Sequence, residues 1–332
     1  MILVSFGTRP EYIKIKPILR ALRGHINYKV LFTGQHPDLV SNVQEDVITL
    51  DIDDGDNRLD SIVASVMGQG HVFEGVDSVM VQGDTTSAFA IALAAFHRNI
   101  KVIHLEAGLR TYDLKHPYPE EFNRQAISRI ADINLCPTEI NYTNLLDEKV
   151  SGKSFIVGNT VLDNLVDVNV SYSNNVIVTM HRRENHYWID QWFGAIDDIA
   201  ANNPDLNFVL PLHPNPNVTK HRNILKNVEV IAPVPYEKFM KMLAECKFAI
   251  TDSGGLQEEM AFFNKMCIVC RKETERKMGL GVFSHLCYKP ENLYGLFWII
   301  NENYRSAEGV GCPYGDGESS KRIVQILKEN HV

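Results

Sequence analysis

The sequence predicts an α/β protein of two domains, each a parallel β-sheet with helices on both faces. Three observations predict it. The 332 residues suffice for about two domains of ordinary size. Short apolar, β-rich runs alternate with amphipathic stretches, the signature of repeated βαβ units. The alternation falls into two series separated by the polar segment 167–175, which is short of helix signals. That segment sets a domain boundary near residue 170, with domains over 1–168 and 174–312.

The first series contains strands at Ile2–Phe6, Lys29–Thr33, Ser78–Val81, Val102–Leu105, Ile133–Cys136 and Ser154–Val157. The second contains Val176–Met180, Phe208–Pro211, Glu229–Ile231, Phe248–Thr251 and Cys267–Cys270. In the tail, Ile323, Val324, Ile326 and Leu327 recur at helical spacing, so the chain closes on a helix that could pack on either domain.

Composition narrows the function. With 45% apolar and 22% charged residues, the chain is neither disordered, collagen-like nor a disulfide-stapled miniature. Lys and Arg total 33 against 41 acidic residues, a formal charge of −8, so no basic excess is available to neutralise a nucleic-acid backbone. Of six cysteines only Cys267 and Cys270 form a CxxC, and it lies in an apolar strand without a second pair. That pattern fits a buried strand in a reducing cytoplasm better than a metal or redox centre. His181, His186 and His213 lack ligand spacing, so no metal is expected. The first apolar run is too short for a signal peptide, and the longest, Ala88–Phe96, is half a membrane span.

In open α/β sheets ligands sit beyond the carboxyl ends of the strands. Gly7-Thr8-Arg9-Pro10-Glu11 follows the first strand, with Thr8 suited to an N-cap and Pro10 to the first helical turn. Free N–H groups beside Arg9 would make an anion site; the alternative is an ordinary strand-to-helix turn. Asp252-Ser253-Gly254-Gly255 repeats the offer in the second half, followed by Gln257, Glu258 and Glu259. Neither Gly68-Gln69-Gly70 nor Gly152-Lys153-Ser154 completes a dinucleotide fingerprint or a P-loop. Three carboxylates, Asp84, Glu106 and Glu120, also fall at strand or helix ends. Any one could be a simple cap; together in an enclosed site they would shift one another's pKa and suit general acid and base work.

These segments form an ordered set. With Gly34-Gln35-His36, Gly83-Asp84-Thr85-Thr86, Glu106-Ala107-Gly108-Leu109-Arg110-Thr111, Pro119-Glu120-Glu121, Asn123-Arg124, Gly158-Asn159-Thr160, His181-Arg182-Arg183-Glu184-Asn185, His213-Pro214-Asn215-Pro216, Thr274-Glu275-Arg276 and Pro313-Tyr314-Gly315-Asp316-Gly317, the chain resembles the non-hydrolysing UDP-N-acetylglucosamine 2-epimerases from its first strand to its last helix. The resemblance implies two Rossmann-like domains of glycosyltransferase-B type facing a cleft that holds a UDP-sugar, with the final helix, 317–332, crossing back to the first domain. It implies acid/base roles for Asp84, Glu106 and Glu120, with Lys14 and His213 as further active-site residues. Arg9, Ser253, Gly254, Gly255 and Arg276 match substrate contacts, Glu259 the ribose contact and Phe239 the aromatic near uracil. Gln35, His36, Arg182 and Arg183 match a second UDP-sugar site in bacterial members. The implied reaction eliminates UDP to 2-acetamidoglucal and adds it back with the C2 configuration inverted, without metal or other cofactor. A homodimer is expected.

Departures from the family pattern border the implied cleft. The stretch between His36 and Gln82 is short, His186-Tyr187-Trp188 replaces a Gly-containing loop, and Lys277-Met278 stands where Pro-Glu is common. Another UDP-2-acetamido sugar, a hydrolysing epimerase, a glycosyltransferase of the same architecture and a non-catalytic UDP-sugar sensor therefore stay open at this point.

Overall fold

Strand β1 (Ile2–Phe6) is buried along its whole length, and its alternation decides what packs where. Ile2, Val4 and Phe6 face one hydrophobic layer and Leu3 the other, as the two-residue period of a strand requires. The structure, a computed structural model, describes residues 1–34, 43, 45–52 and 55–332. It divides into two units, Met1–Asn164 with Gly315–Val332, and Leu165–Tyr314.

In the first unit β1 joins β2 (Tyr28–Phe32), β3 (Val47–Thr49), β4 (Ser78–Gln82), β5 (Lys101–Leu105), β6 (Ile133–Cys136) and β7 (Lys153–Ile156). Their order is β3-β2-β1-β4-β5-β6-β7, parallel throughout. Helices α1 (Arg9–Leu22), α2 (Arg58–Gly68), α3 (Thr86–His97), α4 (Glu120–Ile130) and α5 (Glu139–Asp147) connect them. Residues of α1 join the layer on one face and residues of α2 and α3 the layer on the other. The apolar run at 88–96 is accordingly helix, largely buried up to Ala95, with Phe96 exposed.

The second unit contains β8 (Asn175–Thr179), β9 (Asn207–Pro211), β10 (Glu229–Ile231), β11 (Phe248–Thr251), β12 (Cys267–Val269) and β13 (Ser284–Leu286). These strands are also parallel, ordered β10-β9-β8-β11-β12-β13. Its helices are α6 (Ile189–Ala201), α7 (Pro216–Thr219), α8 (Tyr236–Glu245), α9 (Gly254–Phe262) and α10 (Leu293–Asn303). Strands β3 and β13 are additions to the sequence reading. Each has three residues at a sheet edge.

The closing helix, α11 (Ser319–Glu329), returns to the first unit, where Ile323, Val324 and Leu327 pack with Ile15, Ile18 and Leu22 of α1. The Asp163 carboxylate accepts from the backbone N–H groups of Ser319 and Ser320 at 3.1 and 2.6 Å, satisfying donors that no helical turn can reach. No helix among the described residues is long and apolar enough to cross a membrane.

Candidate active site

The order of the first sheet reverses direction between β1 and β4, the switch point where open α/β sheets gather ligands. The loop after β1 is shaped by a capping box. Thr8 caps α1, and the Glu11 carboxylate accepts from the N–H groups of Gly7 and Thr8 at 2.9 and 2.7 Å. The other Glu11 oxygen accepts from the Thr85 hydroxyl at 2.7 Å, while Thr85 caps α3. One buried carboxylate thus ties the two switch-point loops together; its burial pushes its pKa up, against the hydrogen bonds from Thr85, Thr8 and Gly7. Arg9, the first residue of α1, is exposed.

Asp84 follows β4. Its carboxylate pairs with Arg124, and its carbonyl accepts from Asn123 Nδ2 at 2.9 Å. Glu106 follows the neighbouring β5 in a left-handed conformation, φ 65°, uncommon for a side chain of this kind. Its Oε2 accepts from Lys14 Nζ at 2.5 Å and also from Gln82 Nε2. Glu120 opens α4, and Asn123 and Arg124 lie three and four residues on, so all three share one helical face. Asn123 and Arg124 of that face reach Asp84. Its Oε2 is buried with no hydrogen-bond partner among the described residues.

The second sheet reverses between β8 and β11. After β11, buried Asp252 accepts from the N–H groups of His181 and Arg182 at 2.9 and 2.8 Å and from Asn185 Nδ2 at 3.1 Å, tying this switch point together as Glu11 ties the first. Ser253 precedes α9, which begins at Gly254. A Cβ on Gly254 would lie 2.9 Å from Glu275 Oε1 and 3.4 and 3.5 Å from the Arg276 and Arg182 guanidinium groups; one on Gly255 would meet open space. Small residues here leave a helix N-terminus approachable beside two arginines. Arg276 donates to Glu258 at 2.9 Å and pairs with Glu275.

Farther along α9, Glu259 accepts from the Tyr236 hydroxyl at 2.9 Å, and burial followed by the Glu259 charge pushes the tyrosine pKa up. Half-buried Phe239 lies three residues beyond Tyr236 on α8. The exposed His213 ring stacks on His181, centroids 5.1 Å apart and 13° from parallel. Arg182 is half-buried and Arg183 exposed, while Gln35 and His36 lie outside the described residues.

Within the first unit, then, Lys14 meets Glu106, and Asn123 and Arg124, on the helix that Glu120 opens, meet Asp84. Within the second, Gly254, Arg276 and Arg182 converge, and Glu259 stands with α8. Sequence reading did not single out Gln82, Arg124, Tyr236 or Glu275 as site residues. Gln82 borders a quoted motif and Arg124 lies within one, yet their partners lie 24 and 40 residues away, a distance that only strand order closes. The spacing Thr8-x-x-Glu11 is a legible capping signal.

Two parallel sheets, each with polar loops and helix N-termini at its switch point, define a tandem α/β protein of nucleotide-binding architecture. The chain belongs to the UDP-N-acetylglucosamine 2-epimerase family, whose model matches residues 20–328. It is 34% identical to the UDP-N-acetylglucosamine 2-epimerase of Campylobacter jejuni over 370 aligned positions, covering 98% of this chain and 97% of that protein. The crystal structure of the Neisseria meningitidis UDP-GlcNAc 2-epimerase bound to UDP-GlcNAc is similar with a TM-score of 0.88 and 33% identity, covering 99% of this chain and all of that one. The Methanocaldococcus jannaschii UDP-GlcNAc 2-epimerase in complex with UDP-GlcNAc and UDP gives a TM-score of 0.80 at 28% identity, covering 99% of each chain.

Proposed function

We propose that this chain interconverts UDP-N-acetylglucosamine and UDP-N-acetylmannosamine by eliminating UDP to 2-acetamidoglucal and adding it back. The observation that carries the proposal is the pair of carboxylates, Asp84 and Glu106, at adjacent strand ends, each held by its own cation, Arg124 and Lys14. Family membership and relatives crystallised with UDP-GlcNAc support the substrate class.

The C2 hydrogen of the sugar is not α to a carbonyl, so no carboxylate removes it unless positive charge develops at C1. Departure of UDP develops that charge. One carboxylate takes the C2 proton as the anomeric C–O bond breaks, and the electron pair forms the C1–C2 double bond. A second returns a proton to C2 on the other face, and UDP oxygen attacks C1. Asp84, Glu106 and Glu120 are assigned to these transfers, and Lys14 and His213 are assigned as further active-site residues. Arg9, Ser253, Gly254, Gly255 and Arg276 receive the nucleotide, stabilising the leaving phosphates. Glu259 is assigned to the ribose hydroxyls and Phe239 to uracil. A cytoplasmic homodimer is part of the proposal.

The deciding experiment supplies UDP-N-acetylglucosamine in heavy water without added metal or NAD. One deuterium at C2 with the nucleotide retained is the expected result. Accumulation of free N-acetylmannosamine would support the hydrolysing reaction instead, and transfer to an acceptor without C2 exchange would overturn the epimerase reading.

A further inference from the structure

His104 is fully buried in β5, between Val81 of β4 and Asn134 of β6 in the strand register. Its Nε2 lies 2.8 Å from the Gly83 carbonyl oxygen. A carbonyl can only accept, so Nε2 carries a proton. Burial pushes the His104 pKa down to about 4, against the Gly83 hydrogen bond, so the ring is neutral at physiological pH with Nδ1 unprotonated. Nδ1 has no hydrogen-bond partner among the described residues, and the contact with Gly83 is the polar anchor that the structure gives this side chain.

Gly83 is where the chain leaves β4 and turns toward Asp84. It sits at φ 70°, a conformation open to glycine, so its own backbone does little to fix the direction of the next residue. Two contacts with β5 fix the turn, in addition to the bonds that Asn123 and Arg124 make to Asp84 itself. The Gly83 N–H donates to the Leu105 carbonyl at 2.9 Å, and the Gly83 carbonyl accepts from His104. Both partners are consecutive residues of β5, and the next residue in the chain is Glu106. The turn carrying one carboxylate is therefore fastened to the strand that delivers the other. An apolar side chain would fill the same volume without desolvating an imidazole, an expense that a buried polar group offsets only through its hydrogen bond.

We infer that His104 is a positioning residue, holding Asp84 in register with Glu106 through the Gly83 carbonyl. The inference rests on the assignment of Asp84 to proton transfer. A displacement of about 1 Å at a reacting group can cost on the order of 100-fold in rate, so the loss of this fastening should appear in turnover.

The test compares His104→Phe, His104→Asn and His104→Gln, alone and in an Asp84→Asn background, by steady-state epimerisation, calorimetric UDP binding and thermal unfolding. Phe fills the ring volume without a donor, the Asn amide is too short to reach Gly83, and Gln can place an N–H near the position of Nε2. Phe and Asn should lower kcat about 10- to 100-fold with KM and UDP affinity nearly unchanged, and Gln should retain most of the activity. In the Asp84→Asn background His104→Asn should cost less than about 2-fold further, because the two changes act on one carboxylate. If Phe prevents folding, the contrast between Asn and Gln decides. Full activity of His104→Asn, equal losses for Asn and Gln, or the same proportional loss with and without Asp84 would each overturn the inference. Near-normal turnover of Asp84→Asn alone would overturn the catalytic assignment of Asp84 instead, a result the single variant reads separately.

Discussion

Lys14, on α1, donates to Glu106 Oε2 at 2.5 Å across 92 residues of chain. Both groups are shielded, with side-chain exposures of 19% and 7%, so a carboxylate left without its cation would be poorly compensated by water. The same oxygen accepts from Gln82.

Asp84→Asn, Glu106→Gln and Glu120→Gln should each cut turnover by about 100-fold or more while UDP still binds, since a positioned acid or base supplies roughly 10² to 10⁴. Stopped assays with both epimers as substrate, paired with calorimetry for UDP, make the measurement. Near-normal turnover would reduce these three residues to caps. Lys14→Met should also lose turnover through Glu106.

Nucleotide affinity should respond to the other set. Arg9→Ala and Glu259→Ala should weaken UDP binding by roughly 1.5–3 kcal/mol, the worth of a hydrogen bond to a charged group. Tyr236→Phe should weaken it less, because Tyr236 acts on Glu259 and not on the nucleotide. Titration calorimetry ranks the three, and unchanged affinity in Glu259→Ala would remove its ribose assignment.

Acid should weaken the second unit at a definable pH. Burial alone would raise the Glu275 pKa, but Arg276 and Arg271 together hold it well below its ordinary 4.5. A depressed folded-state pKa gives stability that is complete above 4.5 and is lost as pH falls through the folded value. Glu275→Gln should therefore melt below the parent at pH 7, and the gap should narrow on acidification below pH 4.5. A gap independent of pH would show that the carboxylate charge contributes nothing.

Asp163→Ala should loosen α11 without touching the candidate site. Losing a carboxylate that serves two helix N-terminal donors costs about 1–2 kcal/mol. Denaturant unfolding gives the magnitude. Hydrogen exchange should localise the effect to residues 319–329, and uniform loss of protection across both units would count against a local latch.

Regulation by a second UDP-N-acetylglucosamine should be weak. The family resemblance implies an Arg near the position that Asp56 occupies, and an acid there would repel a diphosphate. Forward turnover should be hyperbolic in substrate, and the reverse reaction should proceed without added UDP-N-acetylglucosamine. Arg58, whose guanidinium lies 3.5 Å from the Gly34 carbonyl, could fill the role, so a sigmoidal curve abolished by Arg58→Ala would overturn the prediction.

The two parallel α/β series, most of their strands and the helix starts at Arg9, Glu120 and Gly254 were legible in the residues alone. Strands buried on both faces must be nearly continuous apolar runs, and caps and turns need particular residues at fixed short offsets. Which polar groups meet follows from the fold alone. Lys14 with Glu106, Arg124 with Asp84 and His104 with Gly83 are joined by the order of β1, β4 and β5 in the sheet and by the helices beside them, not by spacing along the chain. Periodicity records which face of an element is buried; it carries no record of which element lies opposite. For the same reason the three-residue edge strands β3 and β13 emerged only from their pairing with β2 and β12.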